Sequence, residues 1–307
     1  MPRPVVVFGL LLISAASGRA QDPMRPWAAW RTLETPHFRV HYPEEYERWA
    51  VDAARRVEGV DSAIARLVGY APRKQIDIVI HDPYTMSNGY VIPLLDATTS
   101  VWWATPPDPR SDIGNYRSWG ELLAAHELTH VAHLTRPSRN ALQQLFWSLM
   151  PASVGPIARK SPHWVIEGYP TVVEGQITGS GRPNGVWRPA ILRQWAIEGQ
   201  LPSYDAMSGS SEFHGGAFPY LSGSAYLEWL LKRQGDSSLV NVWRRMTAVT
   251  NRSFDQAFTG VFGDSPSYLY ERHVAELTGD AMRAKTALET AGLREGDLVQ
   301  HLTWETG

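Results

Sequence analysis

Cysteine is absent from this 307-residue chain. Its absence excludes disulfides, thiolate metal ligands, a cysteine nucleophile and a lipidated N-terminal cysteine. Any bound metal must therefore be held by histidine and carboxylate. A basic excess is lacking as well: 29 Lys and Arg stand against 31 Asp and Glu, a formal net charge of −2. That balance argues against a nucleic-acid partner, which calls for clustered cations. After the N-terminus no run is long and apolar enough to cross a bilayer, and no internal repeat is visible. Aromatic residues are abundant, with 13 Trp and 12 Tyr. They imply a tryptophan-rich core or, as the sharper alternative, an aromatic-lined cleft. A hydrophobic fraction of 43% suffices for one large domain or two modest ones.

Residues 1–20 read as a signal peptide. Arg3 gives a positive start, Val5–Ala16 is mostly apolar, and Gly18-Arg19-Ala20 places small residues at −3 and −1, so cleavage is expected before Gln21. The expected location is secreted or periplasmic.

The remainder predicts strands first and helices afterwards. Alternation marks strands over 35–42, 76–80 and 98–104, and helical spacing marks 43–67. A loop rich in Pro, Asp and Gly covers 106–115. The helix that follows opens on a capping-box pattern, Ser118 with Glu121, and its apolar positions run through Leu122, Ala125, Leu128, Ala132 and Leu134. Further helices are expected over 139–150, 163–176, 189–199, 221–234 and within 239–289. The order is that of an α+β domain, taken as 27–290. Gly296–Thr303 alternates like a strand, and residues 291–307 are expected to open a further, truncated C-terminal domain.

The 118–134 helix carries His126-Glu127-Leu128-Thr129-His130. Histidines four apart lie one above the other on one helix face, so both imidazoles can reach a single Zn²⁺. Glu127 points about 100° away and can instead lean over a water at the metal as general base. Chance would place such a pattern in roughly two per cent of chains of this composition. A catalytic zinc needs a third protein ligand. A metzincin would have Gly at 133 and His at 136, where this chain has His133 and Arg136. The remaining route is a glutamate on a later helix, and His163–Glu174 offers Glu167.

Trp164-Val165-Ile166-Glu167-Gly168, followed by Glu174, resembles the third-ligand segment of gluzincin zinc metallopeptidases of the aminopeptidase-N kind. The 36 residues between His130 and Glu167 exceed the aminopeptidase-N spacing. They fit better a group of secreted bacterial peptidase MA-like proteins often fused to a C-terminal TolB-like β-propeller. The tail from Leu298 is similar to such a propeller's opening strand, and the resemblance spans about residues 30–307. It implies a zincin-like fold: an N-terminal mixed sheet with the metal helix, then a mainly helical lobe. It also implies one zinc held by His126, His130 and Glu167, with Glu127 as base. Tyr220-Leu221-Ser222-Gly223-Ser224 resembles the Tyr-x-Lys-Gly-Ala segment whose tyrosine stabilises the oxyanion, with Ser222 replacing the lysine. Tyr226 and His214 are the alternatives to Tyr220.

Several neighbours carry smaller expectations. Glu174 or Thr171 is a candidate to accept a hydrogen bond from a metal-bound histidine, the alternative being a plain structural carboxylate. His133 is expected to pack rather than act, and His163 to stay off the metal. In this superfamily extended peptide adds to an edge strand before the metal helix; here that strand would be Thr98–Ala104, with Asn88-Gly89-Tyr90 upstream. The 139–150 segment is expected to bury its apolar stripe in the core, the alternatives being a lid over the cleft or contact with a membrane surface. The expected reaction is hydrolysis of a peptide bond in a peptide or protein. An aminopeptidase would need an acidic anchor for the substrate amine, a role open to Asp96, but no Gly-x-Met-Glu-Asn motif is present. The competing reading is a catalytically silent peptidase-like scaffold or binding module of the cell envelope.

Overall fold

A computed structural model describes residues 25–94, 97–149, 154–208 and 216–293. The expected signal peptide, the 294–307 tail, Asp96 and His214 lie outside the described residues.

Five strands form one mixed sheet in the order β1-β2-β3-β5-β4. They are β1 (Trp30–Glu34), β2 (Phe38–Pro43), β3 (Ile76–His81), β4 (Gly89–Leu94) and β5 (Ala97–Trp103). In β2 the alternation is literal: Phe38, Val40 and Tyr42 are buried while Arg39 and His41 are not. β2, β3 and β5 run parallel, and β1 and β4 pair antiparallel at the two edges. A parallel pair needs a crossover, supplied between β2 and β3 by α1 (Glu47–Val68). Its stripe of Ala50, Ala53, Val57, Val60, Ile64 and Val68 is buried.

The topology corrects one expectation. β5, foreseen as the edge, lies between β3 and β4, and β4 is the edge strand. β4 is hard to read in sequence because Gly89 and Pro93 interrupt a short apolar run.

α2 (Trp119–Thr135) is buried almost all round, from Trp119 to His133, as befits a helix set between the sheet, α1 and the later helices. Ser118 Oγ caps it by accepting from the Glu121 backbone N–H at 3.4 Å. The reciprocal half of the capping box is replaced: the Glu121 carboxylate faces Arg56, 3.8 Å away. A short helix α3 (Ala141–Ser148) and a single turn α4 (Pro156–Lys160) lead to α5 (His163–Thr178). α6 (Trp187–Glu198), α7 (Ser224–Gln234), α8 (Ser238–Met246), α9 (Phe254–Phe262) and α10 (Pro266–Thr290) complete the helical lobe.

A second expectation is overturned at α3. Leu142, Leu145, Phe146 and Leu149 are exposed, and none of the helix is buried. The helix is amphipathic as read, but its apolar stripe faces out.

The tryptophan-rich core is present: Trp102, Trp164 and Trp243 are fully buried. Trp164 lies against Tyr226 and Phe254 at ring-centroid distances of 5.3 and 6.0 Å.

Candidate metal centre

Three side chains converge where α2 meets α5. His126 and His130, one turn apart on α2, present ring nitrogens that lie with a Glu167 carboxylate oxygen within 4.8 Å of one another. Nε2 of His130 is 3.4 Å, and Nε2 of His126 3.9 Å, from Glu167 Oε2. These separations are long for charge-assisted hydrogen bonds. They approach the edge of a tetrahedron with metal–nitrogen bonds of 2.0–2.1 Å, about 3.4 Å. Two imidazoles and one carboxylate also suit zinc by donor type. The residues present therefore fit the metal that the motif implies.

The histidine positions follow from α2's geometry; that of Glu167 depends on how α5 is held. α5 begins at His163 after Pro162, so Glu167 sits in its second turn. Thr171 Oγ1 donates to the Glu167 carbonyl at 2.9 Å, directly after Pro170, whose missing N–H removes the helical bond to the Ile166 carbonyl. Thr171 is thus occupied by its own helix. Glu174 takes the role foreseen for either residue: its Oε2 accepts from His126 Nδ1 at 2.9 Å. This fixes the ring so that Nε2 faces Glu167.

Sequence reasoning did not single out Arg182. It follows a turn at Gly181, whose φ of +75° suits glycine. A Cβ at Gly181 would also lie 2.9 Å from Glu174 Oε1. The turn brings the Arg182 backbone N–H to Glu174 Oε1 at 3.0 Å and its guanidinium to Oε2 at 3.2 Å. The same guanidinium stands 4.7 Å over the Tyr220 ring. The one signal for this arrangement was a Gly-Arg pair just past a helix end, which does not reveal its partner.

Tyr220 lies in a π-helical turn, Pro219–Gly223, that leads into α7. Its ring stacks on His126 with centroids 6.1 Å apart. The turn can approach α5 because both faces are glycine at the crossing. A Cβ on Gly168 would meet the Gly223 carbonyl carbon at 3.0 Å, and one on Gly223 would meet the Trp164 carbonyl oxygen at 2.8 Å. Tyr226 does not join the site; its buried hydroxyl donates to the Pro266 carbonyl at 2.7 Å. His133 is fully buried against Tyr169 and Trp243, with ring centroids 4.8 and 4.4 Å away. His163 is partly exposed, with Nε2 3.8 Å from the other oxygen of Glu167.

The groups open onto a cavity of about 430 Å³. Glu127, Glu167 and Tyr220 line it from the helical side, and Asn88 with Gly89, Tyr90 and Val91 of the edge strand from the other. Gly89 is needed here: a Cβ would come within 2.7 Å of Glu127 Oε1.

Electrostatics separates the three glutamates. Burial pushes the Glu127 carboxyl up, against the pull of His126 and His130. Burial also acts upward on Glu167, but His130 and His126 outweigh it and hold this carboxyl below the usual range. Glu174 is held down in the same way, chiefly by Arg182 and His126. Burial disfavours a charged His126, yet Glu167 and Glu174 raise its pKa to about 9 without metal. Burial, with Glu167 nearby, raises the Tyr220 phenol, which stays protonated at neutral pH.

No model of a known protein family matches the chain, and no curated protein does. Among solved structures, that of native yeast LTA4 hydrolase is similar at 14% identity with a TM-score of 0.48, over 79% of this chain and 38% of that one. The chain thus spans well under half of that protein's length.

Proposed function

We propose that this chain is a zinc-dependent hydrolase of peptide bonds. The observation that carries the reading is the near-buried convergence of His126, His130 and Glu167, with Glu127 beside them on the wall of one cavity. When bound by these three residues, zinc supplies a Lewis acid that polarises a carbonyl and acidifies water.

The chain's own groups divide the remaining work. Glu127 is not one of the three converging groups, and its raised pKa brings the carboxylate nearer neutrality, where a general base works best. It accepts a proton from the attacking water and returns it to the leaving amine. Glu174 holds the His126 ring through Nδ1. Tyr220, kept protonated, donates a hydrogen bond to the developing oxyanion. The outer edge of β4, whose residues 89–91 line the cavity, offers backbone groups to an extended peptide.

The test compares wild type with Glu127→Gln, measuring bound zinc and hydrolysis of an unstructured protein. Zinc should be retained near one per chain in both, while hydrolysis falls roughly 10²–10⁴-fold in the variant. Peptides with free and acetylated N-termini separate amino- from endopeptidase action. Zinc binding with no hydrolysis by either protein would favour the scaffold. A wild type purified without chelator that holds no zinc would overturn the site itself.

A further inference from the structure

α3 has an inverted polarity. Leu142, Leu145, Phe146 and Leu149 follow the i, i+3, i+4, i+7 spacing of one helix face, and all four are exposed. Leu142 and Leu149 are 79% and 76% exposed. A water-soluble helix is expected to turn such a stripe inward, so the stripe marks an interaction site.

The helix is fixed in place by polar tethers at its start. Asn140 caps it by accepting from the Gln143 N–H at 3.1 Å, and Asn140 Nδ2 donates to the Val249 carbonyl at 2.7 Å. Arg139 donates to the carbonyls of Thr247 and Arg244. Val249, beside these tethers, is itself exposed. The outward stripe is therefore held by the fold.

The surroundings identify the partner's charge. Between Glu127 and Glu167 there is no Asp or Glu, but there are Arg136, Arg139, Arg159 and Lys160. Between Asp236 and Asp255 there are again no acids, but Arg244, Arg245 and Arg252 are present. The two segments adjoin: Lys160 donates to Asn251 and to the Arg252 carbonyl, and Arg159 stacks 4.2 Å over the Trp147 ring on α3. Among the described residues none of these seven cations pairs with a carboxylate. Arg136 is turned inward, donating to the Val68 carbonyl at 2.8 Å, and Arg245 packs on Gly260, while Arg139, Arg159 and Arg244 are exposed and form the rim. An apolar stripe within a cationic rim is the pattern of a surface that inserts between anionic headgroups.

We propose that α3 and its basic rim dock this protein onto an anionic lipid surface. α3 has eight residues, too few to span a bilayer, so the contact proposed is interfacial. Leucine and phenylalanine enter the acyl boundary while Arg159, Arg244 and Lys160 meet lipid phosphates.

Co-sedimentation with lipid vesicles tests the proposal on the full chain. Vesicles of phosphatidylcholine with roughly a third phosphatidylglycerol should bind the protein, pure phosphatidylcholine should bind it far less, and added salt should weaken the binding. Leu145→Asp with Phe146→Asp should reduce partitioning at least about tenfold with an unchanged melting curve, because neither side chain is buried. Arg159→Glu with Arg244→Glu should also reduce it, leaving the apolar stripe intact. Absence of binding to the anionic vesicles would overturn the proposal, as would undiminished binding by the Leu145/Phe146 variant. Self-association that this variant abolishes, without vesicle binding, would also overturn it and identify the stripe as a contact between copies.

Discussion

Glu174 divides its carboxylate between two cations. Oε2 accepts from His126 Nδ1 and both oxygens face Arg182, all with the side chain fully buried. One contact orients His126, a proposed zinc ligand; the other places a guanidinium over Tyr220. Carboxylates that hold a metal-bound histidine typically contribute 10–100-fold to metal affinity. Glu174→Ala should therefore weaken zinc binding about 10–100-fold, read by competition with a chelator of known affinity. Glu174→Gln keeps an acceptor for His126 and loses the charge facing Arg182, so its loss should be smaller. Equal affinity in all three proteins would reduce the contact to a structural one. Removing one member of a buried ionic network also destabilises the fold, so affinity must be measured well below the variants' melting temperatures.

At the scale of elements, the site depends on how closely the π turn crosses α5. Gly223 stands where a methyl group would press to 2.8 Å on the Trp164 carbonyl oxygen, a backbone atom that cannot rotate away. Gly223→Ala should cost about 1–3 kcal/mol and displace Tyr220, one turn earlier. Gly120→Ala on α2 is the matched control. There the new methyl would lie 3.4 Å from Trp49, an ordinary contact, and the change in urea midpoint should be small or stabilising. A Gly223 variant as stable as the Gly120 variant would show that the crossing has slack. The sequence makes the histidine pair of α2 legible because one element contains both residues, and helical periodicity fixes their relation. Glu167 is legible only through resemblance, since nothing local links it to residues 37 and more positions earlier. The edge strand escapes because its glycine and proline read as turn residues, although Gly89 is there to leave room for Glu127. Arg182 escapes because its place is set by a left-handed turn and a long-range ion pair. α3 is half legible: spacing reveals an apolar stripe but not the direction in which it faces.

At the scale of the whole molecule, stability carries a pH dependence that the helical lobe sets. His273 on α10 is buried among the rings of Tyr226, Trp229 and Tyr270, with centroids 5.6–6.1 Å away. Burial lowers its pKa from 6.5 to about 4; Arg188, Arg233 and Lys232 add to the effect and Glu276 opposes it. In the unfolded chain the same ring takes a proton near its ordinary value. Between about 6.5 and about 4 the unfolded state therefore holds more protons, and folding stability rises with pH across that window. The contribution is fully present above pH 6.5 and is lost as the pH falls towards 4. Its size is about 3 kcal/mol, from roughly 1.4 kcal/mol per pKa unit. His133 acts in the same direction, pushed well below its ordinary value by burial and by His130 and Arg136, so wild type alone cannot assign the slope. His273→Phe keeps a ring among the same aromatics and removes one titration. Urea unfolding at pH 7.5 and pH 4.5 should show the variant losing less stability on acidification than wild type, by up to about 3 kcal/mol. Equal losses in the two proteins would mean that the ring is hydrated and titrates normally, and that α10 packs only loosely against α7.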